Sequence, residues 1–320
     1  MRFKKNINNL IRKQTSQNRD ILKGIVLDRN ERVDYFDKKV FSKIQNNVSR
    51  ESLNTIPDIS LLYKRLAEYH KIQTHNIYIT HGITECMAQI MFSLVKEKEE
   101  AIVMEPSYPM YEVLLKLNNI KFRKWKFNKN LQLEIKDLKK IVSKKTKILF
   151  LVNPNLPIEY EFSEEFKKEI LKLSKKYKFL IVYDEAYHYF GAKSEVKKAP
   201  KLKNLIVLRT FSKAWGLSGI RLGYMVSNKK ITHYLSKCRS LVEANALSYQ
   251  IGLWALKNKY ILKNHIKDVK NGEKFLRKKF NNINETFYGG KVTNAILIDL
   301  KKKKKLDSLK KYLDKKKIYI

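Results

Sequence analysis

The chain has 320 residues and a formal net charge of +37, with 68 Lys and Arg against 31 Asp and Glu and only 2 cysteines. That length can bury a large core, and one large domain with a smaller one attached is expected. The isolated thiols Cys86 and Cys238 exclude a disulfide scaffold and a Cys/His zinc site and fit a reducing cytoplasm, while no run reaches the ~18 apolar residues that span a bilayer. The amino terminus carries no apolar leader, so a soluble protein without a membrane partner is expected. Only 12 of the 68 basic residues are Arg, and the lysines are spread along the chain, which reads as solvated faces and not as a nucleic-acid surface. The dense run Lys301 to Lys305 reads as a loop or a helix start.

Taken in chain order, apolar runs of strand length recur at Asn76 to Thr80, Ala101 to Met104, Ile148 to Val152, Phe179 to Tyr183, Asn204 to Leu208 and Arg221 to Val226. Helical periods lie between them. Ile83 to Val95 places Ile83, Met87, Ile90, Met91 and Leu94 on one face, and Ser163 to Tyr177 does the same with Phe166, Ile170, Leu171 and Leu173. Such alternation predicts an α/β fold with a mostly parallel sheet wrapped by helices. After about residue 228 come Lys-rich helices, short strands at Thr286 to Tyr288 and Ala295 to Leu300, a helix over Leu306 to Leu313, and the end Lys317 to Ile320. That pattern suggests a smaller α/β domain.

Lys213 stands out among the lysines because of its surroundings. It follows Ser212, precedes Arg221 by eight residues, and lies just past the carboxyl end of the buried run Asn204 to Leu208, where open α/β sheets bind ligands. An amine that forms a Schiff base needs burial or cationic neighbours, and a phosphate needs Ser, Arg and free backbone N–H groups; this segment supplies both. Glycines 216, 219 and 223 lack the spacing of a dinucleotide fingerprint.

Four further segments end strands on the same side. His81-Gly82-Ile83-Thr84-Glu85 is a strand-to-helix turn suited to an anion, or an ordinary helix start. In Pro106-Ser107-Tyr108-Pro109-Met110-Tyr111 an aromatic ring can stack on a planar group or simply pack. Asn153-Pro154-Asn155-Leu156-Pro157 puts amides at a strand end, or is a Pro-rich turn. Tyr183-Asp184-Glu185-Ala186-Tyr187 ends a buried strand in a carboxylate, which calls for a cationic partner or caps the next helix.

Together and in this order, these segments resemble the fold-type I pyridoxal-phosphate enzymes, most closely class I/II aminotransferases of the histidinol-phosphate aminotransferase type. The likeness covers about residues 25 to 300 and is carried above all by SKAWGLSGIRLGY (212–224) and VYDEAY (182–187). The resemblance implies a large domain with a seven-stranded, mostly parallel sheet in an α/β/α sandwich plus a smaller α/β domain. Residues 1–50 would contribute to the small domain, 51–228 would form the large one and 229–320 the remainder of the small one. It implies pyridoxal 5′-phosphate as cofactor and a homodimer. By the same likeness Lys213 forms the Schiff base, Asp184 holds the ring nitrogen protonated, and Tyr187 and Asn155 contact the phenolic oxygen O3′. Tyr108 would stack on the ring, while Ser212, Arg221 and the Ile83-Thr84 turn would bind the phosphate. The implied reaction is a ping-pong exchange of an amino group between a small amino donor and a keto acceptor.

The chain departs from the family's pattern at several points. Its run Asn153 to Glu159 stands where NPNNPTG is usual, so that Leu156 replaces an O3′-binding Asn and Glu159 replaces Gly. Ile56 stands where a phosphate-reaching Tyr is common. In Leu27-Asp28-Arg29-Asn30-Glu31-Arg32, which resembles the substrate-side LxxNEN element, Arg32 replaces the last Asn; Asn30 and Arg32 are the candidate substrate residues. Relatives continue past the strand at Lys317 to Ile320 with a carboxylate-binding Arg, so an incomplete small domain is expected. Two other readings stay open: a phospho-amino acid decarboxylase with the same cofactor, and a non-catalytic truncated homologue.

Overall fold

The continuous apolar runs become the inner strands of one sheet, and the polar residues at their ends gather along one edge of it. The computed structural model describes residues 5–8, 10, 24–280 and 286–320. Its strands in chain order are β1 Ile25–Val26, β2 Ile77–Thr80, β3 Glu100–Glu105, β4 Lys121–Lys126, β5 Thr146–Val152, β6 Leu180–Asp184, β7 Leu205–Thr210, β8 Gly223–Val226, β9 Thr286–Gly289, β10 Ile296–Asp299 and β11 Ile318–Tyr319. Seven of them form the central sheet in the order β2-β8-β7-β6-β5-β3-β4. β8 runs antiparallel to both its neighbours, and all other pairs are parallel. The expected α/β fold with a mostly parallel seven-stranded sheet is the fold observed.

β5, β6 and β7 are covered on both faces, which is why they read as unbroken hydrophobic runs. β4, Lys-Phe-Arg-Lys-Trp-Lys, has no such run and was not anticipated as a strand. It is the sheet edge, where charges alternate outward and only Trp125 is buried, packed on Phe162 and Phe166. Helix Ile83–Leu94 buries Ile83, Cys86, Met87, Ile90 and Met91 against β2, β7 and β8. Helix Glu164–Tyr177 starts where Ser163 Oγ accepts from Phe166 N (3.2 Å) and stops at Lys178, which adopts a left-handed conformation.

The expected strand from Arg221 begins only at Gly223, because Arg221 itself has φ 49° and closes a short turn of 3₁₀ helix over Ser218–Ile220. The last helix, Lys303–Lys315, is longer than its apolar core of Leu306 to Leu313 suggested, since lysine is itself a good helix former. β9 and β10 form an antiparallel hairpin, and β1 pairs in parallel with β11. No helix among the described residues is long and apolar enough to cross a membrane.

Gly223 sets a tight contact beneath the site. A Cβ on it would lie 2.8 Å from Gly82 C and from Ile83 N, both backbone atoms that cannot swing aside. Gly223→Ala should therefore destabilise the fold by about 1–3 kcal/mol through overpacking, read as a lower urea midpoint. An unchanged midpoint would mean that β8 and the helix start are not held this closely.

Candidate active site

The ends of β2, β5, β6 and β7 and the turn leading into β8 bring the expected residues to one edge. Asp184 closes β6 at 2% exposure. Its Oδ2 accepts from Tyr111 Oη (2.8 Å) and its Oδ1 from Ala186 N (3.0 Å). Burial pushes this carboxyl up to about 6, against the opposing pull of those two hydrogen bonds and the charge of Lys213. Tyr111, in the helix Met110–Leu117, closes the segment that begins at Pro106 but has no role assigned to it from the sequence. It follows Tyr108 by three residues, one helical turn, which is the only signal that pointed to it.

Lys213 follows β7 in a turn closed by Gly216 N donating to Lys213 O (2.9 Å). Its Nζ donates to Arg29 O (2.6 Å) and lies 5.6 Å from the centre of the Tyr187 ring. Burial lowers its pKa, Glu31 and Asp184 oppose that, and Arg221 adds to it. A lowered amine is a better nucleophile and base near neutral pH. Tyr187 Oη accepts from Asn30 Nδ2 (3.2 Å), and burial holds the phenol up at about 12, so it keeps its proton.

The opposite end is built for an anion. Ser212 Oγ accepts from Thr210 Oγ1 (2.9 Å) and from Arg221 Nη1 (3.5 Å). Gly82 has φ 75°, which favours glycine, and a Cβ there would sit 2.8 Å from Arg221 Nη2, so the guanidinium stands at the start of helix Ile83–Leu94. No side chain caps that helix start, and first-turn amides such as those of Ile83 and Thr84 have no intrahelical acceptor. A guanidinium, a hydroxyl and free helical N–H groups together can hold a phosphate.

Three expected residues stand differently from the rest. Asn155 is fully buried, and its amide is spent: Nδ2 donates to Pro106 O (3.1 Å) and Ile158 O (3.0 Å), and Oδ1 accepts from Ser107 Oγ (2.7 Å). Arg32 pairs with Asp34 Oδ2 (2.5 Å), lies over the Phe36 ring at 4.4 Å and packs on Gly216. Tyr108 remains 42% exposed, edge-on to Tyr111 with ring centres 6.2 Å apart. Beside Asp184, the buried pair Glu185 Oε2 and Arg209 Nε (2.9 Å) also escaped sequence reading.

A lysine facing a buried acid at the carboxyl edge of this sheet, with an anion cradle opposite, defines a pyridoxal-phosphate-dependent enzyme of fold type I. The chain belongs to the class I and II aminotransferases, whose family model matches residues 25–320. It is similar to the histidinol-phosphate aminotransferase of Caldanaerobacter subterraneus subsp. tengcongensis, at 31% identity over 81% of this chain and 73% of that protein. A second histidinol-phosphate aminotransferase, from Christiangramia forsetii, is 32% identical over 87% of this chain and 79% of its own length. The crystal structure of the Sinorhizobium meliloti histidinol-phosphate aminotransferase in complex with pyridoxal-5′-phosphate superimposes with a TM-score of 0.85 at 20% identity, covering 100% of this chain and 88% of that one. The protein is thus a pyridoxal-phosphate-dependent aminotransferase. Its residues fit the cofactor: the cradle suits a phosphate, the lowered amine an aldehyde, and the raised acid a cationic ring nitrogen.

Without cofactor, folded Asp184 keeps its proton up to about 6, whereas the unfolded carboxyl loses it near its ordinary 3.8. The folded state therefore binds more protons between those values, and stability falls as pH rises through the window. Asp184→Asn removes this titration. The variant's stability relative to wild type should rise by roughly 3 kcal/mol between about pH 3.5 and about pH 6.5, measured by urea unfolding of cofactor-free protein. A pH-independent difference would contradict a buried, ionising Asp184.

Proposed function

We propose that this aminotransferase acts on a small, phosphorylated amine or its ketone of the histidinol-phosphate kind, and that Lys213 is its catalytic amine. The observation that carries the reading is Lys213 Nζ, lowered by burial and set against Arg29 O, with the Asp184 carboxylate near enough to act on its charge. The substrate class comes from the relatives, which are named for histidinol phosphate. Bound in the site, pyridoxal 5′-phosphate supplies an aldehyde and an electron-accepting ring.

In this proposal Ser212 Oγ, Arg221 and the amides of Ile83 and Thr84 hold the phosphate. Asp184 pairs with the ring nitrogen and keeps its proton in place. Tyr187, which accepts from Asn30 and retains its own hydrogen, donates to the phenolic oxygen. Asn155 shapes that corner through its backbone contacts, because both of its amide hydrogens are already on carbonyls. Tyr108 covers the ring face. Lys213 Nζ, once free, takes the proton from the substrate's Cα. Asn30 lies on the substrate side, while Arg32, bound to Asp34, serves as a wall packed on Gly216.

The proposal divides the chain at about residues 50 and 228 and places it in a reducing cytoplasm, in line with the free Cys86 and Cys238. It also makes the protein a homodimer. Leu53 (75% exposed), Ile56 (67%), Phe92 (76%) and Leu241 (81%) are large apolar side chains that a second copy would cover. Sedimentation at micromolar concentration should give a dimer, and Phe92→Glu combined with Leu241→Glu a monomer. A wild-type monomer that still turned over would refute this.

The function is tested by reconstituting the protein with the cofactor and offering either glutamate with the ketone of histidinol phosphate or histidinol phosphate with 2-oxoglutarate. Transfer of the amino group is expected. Lys213→Ala should lose the visible absorbance band and at least about a hundredfold in turnover. Carbon dioxide release from phosphoserine or phosphothreonine without transfer would mark a decarboxylase, and a biological role untouched by Lys213→Ala a non-catalytic protein.

A further inference from the structure

We infer that Glu159 is a positioning residue for Lys213 and Tyr187, acting across the molecule through the turn at 291–294 and the strap at 27–31. The inference rests on the proposed roles of those two side chains. Glu159 lies in the loop after β5 and occupies the place of the usual glycine, so the link belongs to this chain. Its carboxylate accepts three hydrogen bonds from one turn: Lys291 N to Oε1 (3.1 Å), Val292 N to Oε2 (3.0 Å) and Thr293 Oγ1 to Oε2 (2.7 Å). Hydrogen bonds to an ionised acceptor are about twice as strong as neutral ones, so the turn between β9 and β10 is firmly tied to the β5 loop. The backbones also approach closely, since a Cβ on Gly289 would lie 3.2 Å from Glu159 Cβ.

The next residue carries the constraint onward. Asn294 Nδ2 donates to Asn30 O (3.1 Å), and Asn30, held at φ 52°, donates from its own Nδ2 to Tyr187 Oη (3.2 Å). The carbonyl just before it, Arg29 O, accepts from Lys213 Nζ (2.6 Å). Upstream, the strap is anchored by Leu27 N on Tyr319 O (2.8 Å) and Ile25 N on Lys317 O (2.9 Å). Asn294 therefore pins the part of the strap that touches the site, and Glu159 sets where Asn294 stands. Removing the carboxylate releases the turn, then the strap, and so changes what faces the amine and the phenol. If Glu159 merely stapled the hairpin, the change would stop at residues 291–296.

Amide exchange in the cofactor-free protein separates these cases. Glu159→Ala and Asn294→Ala should each speed exchange at Leu27 and Asn30 about tenfold, and the double variant no further, because both cut one chain of contacts. Faster exchange confined to 291–296, or additive effects, would overturn the inference. In the reconstituted enzyme, Glu159→Ala should shift the pH midpoint of the cofactor's visible band. Glu159→Gln keeps an acceptor oxygen and should show an intermediate shift and intermediate exchange; it also stands alone as the test if the alanine variant does not fold, and no change at Leu27 and Asn30 would then count against the inference. An unshifted midpoint in a folded Glu159→Ala overturns it as well. A wild type with no visible band would instead defeat the proposed site, leaving exchange to judge the tether.

Discussion

A carboxylate at the end of a fully buried strand is the constraint around which this site is organised. Among the described residues Asp184 receives two hydrogen bonds, from Tyr111 and Ala186, and burial outweighs them. Lys213 shows the converse, an amine whose charge burial disfavours while Asp184 and Glu31 favour it. Burial thus works against the charged form of both groups, while each one's charge favours the charged form of the other. A molecule that presents a cation to the acid and bonds covalently to the amine relieves both at once. The cofactor of this family has that pair of features, with a basic ring nitrogen and an aldehyde.

The anion end depends on missing side chains as much as on present ones. Gly82 and Gly223 let β8 and the turn after β2 touch at backbone distance, and the left-handed Arg221 then turns its guanidinium toward the helix start. A Cβ at Gly223 would press on the backbone of Gly82 and Ile83, and one at Gly82 on the end of the Arg221 side chain. At Gly223 the close approach is to backbone, so a substitution there would move the strand and the helix start together.

What the sequence made legible follows from where the signal lies. Asp184, Tyr187, Ser212, Lys213 and Arg221 stand next to continuous apolar runs, and in a parallel sheet a run's end is also the ligand edge. Strand β4 was not legible, because an edge strand alternates charge with partial burial and its one buried ring, Trp125, is isolated in a lysine background. The Tyr111 contact with Asp184 and the place of Asn294 were missed for another reason: each rests on a side-chain hydrogen bond to a residue at least 73 positions away, which no local pattern records. Arg32 looked like a spare cation because the sequence does not show that the chain folds back to bring Asp34 onto it.

The loop 153–159 departs from the family's NPNNPTG at three positions, Leu156, Ile158 and Glu159. With an apolar Leu156, which is only 9% exposed, the loop offers no amide at that point. Asn155 is drawn inward to satisfy Pro106 O and Ile158 O, which would otherwise be buried without donors. The loop is thereby stiffened from within by its own backbone. Glu159 then extends the stiff loop outward to the 291–294 turn, where a glycine would make no contact of this kind. The contacts from Glu159 to the 291–293 turn continue through Asn294 to Asn30 and from there to Tyr187. One phenol fixed in place can replace two looser donors, because orientation decides whether a hydrogen bond favours the charged form of the group it meets.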